Sequence, residues 1–89
     1  MAINTQTLTI TTASAPYVIN LRKPSVFLEL FNIGPNNVHV NPLGSTAAAL
    51  ADECMLIRPN ERIKILPVYN IAAIAEVGNC SLQINTVLY

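Results

Sequence analysis

Charge is the scarcest commodity in this sequence. Of its 89 residues only 11% are charged, five basic against five acidic, for a formal net charge of zero. Ordinary soluble domains carry roughly 25% charged residues. Nucleic-acid binding normally rests on clustered Lys and Arg, and the only basic groupings are Arg22-Lys23 and Arg58 with Arg62 and Lys64, so DNA and RNA are not expected partners. There is no Trp and aromatics make up 6%, which leaves little for stacking on bases or sugars. No apolar run approaches the ~20 residues of a membrane span. The polar start Met1-Ala2-Ile3-Asn4-Thr5 lacks the charged-then-apolar order of a signal peptide, so synthesis in the cytoplasm is expected, with no membrane association.

Catalytic groups are equally sparse. The single histidine, His39, alternates with Val38 and Val40 and reads as an outward-facing, solvated or interface residue. Alone it cannot complete a metal site or a triad, although three copies around a symmetry axis could converge on a metal. Glu29, Asp52, Glu53, Glu61 and Glu76 are scattered, and no spacing proposes the convergent carboxylate pair that hydrolases need. They read as solvated charges, except that Glu29, between Phe27 and Phe31, is placed to meet an arginine across an interface. Gly34 and Gly78 belong to reversals, not to a phosphate-binding loop, and nothing activates the many Ser and Thr as nucleophiles. No enzyme, cofactor or metal is expected. Cys54 and Cys80 match no zinc spacing and read as reduced core thiols, with a disulfide as the alternative.

What is abundant is apolar surface, at 52% hydrophobic residues. A chain of this length is one domain that buries about 60–65% of its unfolded surface, a thin margin. So apolar a composition with so few charges implies that part of the outside is covered, by copies of the chain or by a larger partner.

The pattern is that of short strands. Thr5 to Thr12 alternates threonine with Leu8 and Ile10, and Ala13-Ser14-Ala15-Pro16 breaks it. Tyr17, Ile19 and Leu21 share one side of the next segment, which Pro24 ends. In Ser25 to Asn32, Val26, Leu28 and Leu30 share one face and Phe27, Glu29 and Phe31 the other, as in a central strand or one whose outer face meets a partner. Ile33-Gly34-Pro35-Asn36-Asn37 then reads as a reversal into Val38-His39-Val40-Asn41. Residues 45–53 have the only helix-favouring composition and predict a short helical turn or a loose loop. Cys54 to Ile57 is a short strand, Arg58-Pro59-Asn60-Glu61 a type I turn, and Arg62 to Leu66 a strand with Ile63 and Ile65 inward. The chain closes with Ile71 to Ala75, apolar on both faces, a Gly78-Asn79 reversal and an alternating strand from Cys80 to Leu88. Both Gly and Asn reversals predict hairpins. The expected fold is all-β, an antiparallel β-sandwich or jelly-roll-like domain of seven to eight short strands, with residues 1–13 as an N-terminal arm or edge strand and 14–89 as the sandwich.

Residues 25 to 89 resemble small virion proteins of tailed bacteriophages. The likeness is carried by Val26-Phe27-Leu28-Glu29-Leu30-Phe31-Asn32-Ile33-Gly34, then Val38-His39-Val40, Leu56-Ile57-Arg58-Pro59-Asn60-Glu61, Ile71-Ala72-Ala73-Ile74-Ala75 and Ser81-Leu82-Gln83-Ile84. In that family a strand ending in Asn-x-Gly leads into a short Val-rich strand, and an apolar-Pro-Gly turn follows; Asn60 stands here where the glycine usually is. The resemblance implies a β-sandwich capsid decoration, cement or tail-associated subunit. It would be made in the host cytoplasm and act in the virion, as a homo-oligomer with a trimer favoured, against the major capsid or other virion proteins. Phe27, Phe31 and Tyr89 are the expected contact residues, Glu29 lies among them, and Arg22 and Arg58 form a polar rim. The N-terminal segment from Ala2 to Thr12 suits an arm that adds a strand to a neighbour. The alternative is a small carbohydrate- or receptor-binding module of a phage tail.

Overall fold

The computed structural model describes residues 2–21, 25–42 and 54–88. The helical turn or loop expected over 45–53 lies outside them, as do Arg22 and Tyr89. Eight strands are formed: β1 (Ala2–Ile10), β2 (Ala15–Val18), β3 (Ser25–Gly34), β4 (Val38–Asn41), β5 (Met55–Ile57), β6 (Arg62–Ile65), β7 (Asn70–Ala75) and β8 (Cys80–Leu88). Among the described residues there is no helix.

The strands form two antiparallel sheets, A in the order β1-β8-β3-β6 and B in the order β2-β7-β4-β5. β1 pairs with β8, β2 with β7, β3 with β6 and β4 with β5, as in one long folded ribbon. The further pairs β3 with β8 and β4 with β7 roll that ribbon into two layers. This is a jelly roll, an antiparallel sandwich of eight strands.

Its core explains why two layers form. Ile10, Leu28, Leu30, Leu82 and Ile84 of sheet A and Val38, Val40, Ile57, Ile71 and Ala73 of sheet B are fully buried, so each sheet covers the apolar face of the other. Ile63 and Ile65 point inward as the alternation predicts, packing against this core from β6.

The two expected hairpins are not hairpins. β3 and β7 each end in a reversal that carries the chain to the opposite sheet, so β4 and β8 face their predecessors across the core instead of pairing with them. Gly34 (φ 102°) and Gly78 (φ 62°) do supply the positive φ that these reversals require. A turn sequence shows that the chain reverses; which strand it then pairs with depends on the rest of the sheet. The Arg58–Glu61 turn also differs from expectation. Glu61 N donates to Arg58 O, and Asn60 sits at φ 69°, the left-handed third position of a type II turn and not of type I. Asparagine tolerates that conformation, as the glycine common in the resembling family would.

Two smaller departures concern strand edges. β2 starts at Ala15 and contains Pro16, which an edge strand accommodates because it need not donate on its outer side. Val26 is exposed because a bulge between Ser25 and Phe27 takes it out of register with Leu28 and Leu30. Residues 2–10 of the N-terminal segment are an edge strand, docked on β8 of the same chain over nine paired positions.

Candidate functional site

Alternation in four strands lays side chains on the outer face of sheet A, and the register sorts them into rows. Thr5, Asn85, Glu29 and Lys64 are cross-strand neighbours, Ile3, Val87 and Phe27 form a second row, and Gln83, Phe31 and Arg62 a third. Ile3, Thr5, Phe27, Glu29, Arg62, Lys64, Asn85 and Val87 line a shallow depression of about 430 Å³.

Its polar floor is a connected chain. Thr5 Oγ1 donates to Asn85 Oδ1 at 2.8 Å, and Asn85 Nδ2 donates to Glu29 Oε1 at 3.1 Å. Arg62 Nη1 donates to the same carboxylate oxygen at 2.8 Å. The arginine expected for Glu29 across an interface is therefore in the same chain, on the next strand. The cations also cap the aromatics: the Arg62 guanidinium lies 4.1 Å from the Phe31 ring centroid and the Lys64 ammonium 4.9 Å from that of Phe27. Such stacking is worth about 0.5–1 kcal/mol at exposed sites. Phe27 and Phe31 are half-buried and lie outside the core cluster, so they are surface aromatics.

Of the residues expected at an interface, Phe27, Glu29 and Phe31 are brought together here. Arg58 is not; it sits in the β5–β6 turn, at the end of the sandwich where the chain crosses between sheets, with its guanidinium 3.7 Å from Glu61. Sequence reasoning missed Arg62, Lys64, Asn85 and Thr5 as members of the face. Their alternation with Ile63, Ile65, Ile84 and Leu8 marked them as outward, but nothing local placed β6 and β8 on either side of β3.

The crossing end carries a second polar cluster, built on Asn32. This residue is fully buried; Nδ2 donates to Ile57 O and to Asn36 O, both at 2.8 Å, and Oδ1 accepts from Gly34 N at 2.8 Å. The buried thiol of Cys80 lies 3.0 Å from Asn32 Oδ1 and from Asn36 O. Both cysteines are free; Cys80 is buried in the core cluster as expected of a reduced core thiol, its sulfur also meeting these oxygens, whereas Cys54 is only partly buried. Beside this cluster His39 is 8% exposed, with Nε2 2.7 Å from Glu76 Oε2, and Asn37 Nδ2 donates to the same oxygen at 3.2 Å. His39 is thus neither solvated nor available to a symmetry axis, and Glu76 is not a free charge. The His39 bond, then the Asn37 bond, hold the Glu76 carboxyl below its ordinary pKa.

Exposed large apolar side chains stand at both ends, Ile33 and Val77 at this one and Ile3, Val18, Val26, Leu66 and Tyr69 at the opposite one, with Leu66 80% exposed. Fold and site together define a jelly-roll protein with a shallow polar depression on the outer face of sheet A. No protein-family model matches the chain, and neither a curated protein nor a solved structure matches it.

Proposed function

We propose that this is a structural virion protein, a capsid decoration or cement subunit that stabilises a tailed-phage particle through contacts among its own copies and with the major capsid protein. The observation that carries this reading is the outer face of sheet A. This face holds two half-buried phenylalanines, each backed by its own cation, and Phe27 lies next to the exposed Val26 at the end of the sandwich where Leu66 and Tyr69 also stand in water. A small domain gains nothing by exposing them unless a partner covers them. The low charge of the chain and its eight-stranded jelly roll, an architecture used in viral shells, support the same reading. The mechanism is passive, burial of apolar area and strand edges that adds contact without chemistry.

Replacing Phe27 and Phe31 together by Ser tests it. The rings lie outside the core, so the double variant should stay folded, with a melting temperature lowered by about 4–16 °C for the two lost cation–ring contacts, yet lose co-sedimentation with particles of its parent phage. A wild-type chain absent from purified particles, or a double variant that still co-sediments, overturns the reading. A tail module that binds carbohydrate is the second reading, supported by the Thr5, Asn85, Glu29 and Arg62 hydrogen-bonding row inside the depression. It predicts glycan-array binding that Asn85→Ala abolishes.

A further inference from the structure

The four sheet edges are not alike. β2 is four residues with Pro16 among them, β5 is three, and β6 is four with Arg62 and Lys64 along it. Shortness, proline and cationic side chains are how natural sheets deter a foreign strand. β1 has none of these. It runs nine residues without charge, proline or register shift.

The direction of its backbone groups follows from hydrogen bonds two strands away. Asn32 N donates to Glu61 O and Asn32 O accepts from Asn60 N, so Asn32, Leu30 and Leu28 aim their backbone groups toward β6. Phe27, Glu29 and Phe31 must then aim theirs toward β8, where they face Val87, Asn85 and Gln83. The even residues of β8 therefore aim at β1, and their partners there are Asn4, Gln6 and Leu8. The odd residues Ile3, Thr5, Thr7 and Thr9 are left pointing away from the sheet. The Tyr17 hydroxyl, which reaches the Thr9 carbonyl at 3.4 Å, gives the same direction independently. Ile3, Thr5 and Thr7 have no backbone partner on that side among the described residues, and their side chains are exposed.

We infer that this edge pairs with the same edge of a second copy, antiparallel, about a two-fold axis at Thr5. The occupant is a second copy because β1 matches itself best. Every other edge among the described residues is shorter, and two uncharged strands meet without like-charge repulsion. Only outward residues can face one another as hydrogen-bonded pairs. With the Thr9 carbonyl engaged by Tyr17, the register sets Thr5 against the partner's Thr5 and Ile3 against the partner's Thr7. Each facing pair exchanges two backbone bonds. Two copies of sheet A become one continuous sheet, Ile3 gains a facing neighbour beside its exposed side chain, and the two depressions flank the seam. The symmetry is two-fold, in place of the trimer that the family resemblance implies, and the pairing does not depend on the virion reading.

Light scattering after size exclusion should give twice the chain mass for the wild type. Thr7→Pro deletes an amide that points outward and so should leave the fold intact while the mass halves; Thr7→Val keeps the amide and should remain dimeric. The register is read separately. A short thiol-reactive cross-linker should join Thr5→Cys into a covalent dimer, because facing α-carbons of such a pair lie about 5.5 Å apart, whereas it should not join Ile3→Cys, whose two copies are four residues out of register. A monomeric wild type, a trimer whose mass Thr7→Pro leaves unchanged, or equal cross-linking of both cysteine variants would overturn the proposal.

Discussion

Asn32 is where a single atom-scale change should be felt most. Its side chain is fully buried and joins three segments: it accepts from Gly34 N, donates to Ile57 O and donates to Asn36 O. In Asn32→Ala, Asn36 O keeps the Cys80 thiol, but the Gly34 amide and the Ile57 carbonyl, both in buried residues, lose their partner. A buried polar group left unpaired costs about 1–3 kcal/mol, so the pair should cost about 2–6 kcal/mol. A domain of this length is stable by about 4–13 kcal/mol in total, and the variant should lose a large fraction of that. Asn36→Ala is the comparison, since its side chain makes only an exposed 3.3 Å bond to Asn79 O and should cost under about 1 kcal/mol. Chemical denaturation of the three proteins at constant m-value measures the difference. Asn32→Asp adds a sign. It keeps the Gly34 contact but aims a carboxylate at two carbonyls, so part of its loss should return on acidification, when the protonated acid can donate again. Equal midpoints for Asn32→Ala and Asn36→Ala would refute the account of Asn32 as the tie between the crossings.

Two further outcomes follow from the same end of the molecule. The pKa of Glu76 is lowered in the folded state, so its contribution is fully present above the unfolded value of about 4.3 and is lost as pH falls through the lowered one. Melting temperature measured from neutral to acid pH should therefore drop in the wild type, and Glu76→Gln should be less stable at neutral pH with a shallower acid limb; superimposable profiles would remove His39–Glu76 from the stability of the fold. At the backbone, Gly34→Ala should cost about 1–3 kcal/mol from its φ of 102° alone, because the added methyl meets only ordinary contact at 3.5 Å from Pro59. Asn60→Gly should be neutral or slightly stabilising and Asn60→Val clearly destabilising by thermal melt, since a β-branched residue resists φ 69° where glycine does not.

Much of this was legible locally. Alternation in Arg62 to Ile65 and in Cys80 to Leu88 identified strands and their inward sides, since successive side chains of a strand must face opposite ways. The same alternation put Phe27, Glu29 and Phe31 on one outer face, and Gly34 and Gly78 marked reversals because few other residues take positive φ. Asn60 was harder: proline at the second position of the turn suits types I and II alike, and only the conformation of the third residue separates them.

Pairing was decided by the tertiary structure alone. Which strand lies beside β3 depends on how both sheets bury their apolar faces at once, a condition on the whole chain. It turned two expected hairpins into crossings between sheets, gave Glu29 an arginine from its own chain, and buried His39 against Glu76. The backbone direction of β1 belongs to the same category. Its threonines declare a strand by themselves, but that their odd amides face outward follows from hydrogen bonds made by Asn32 on the far side of β8.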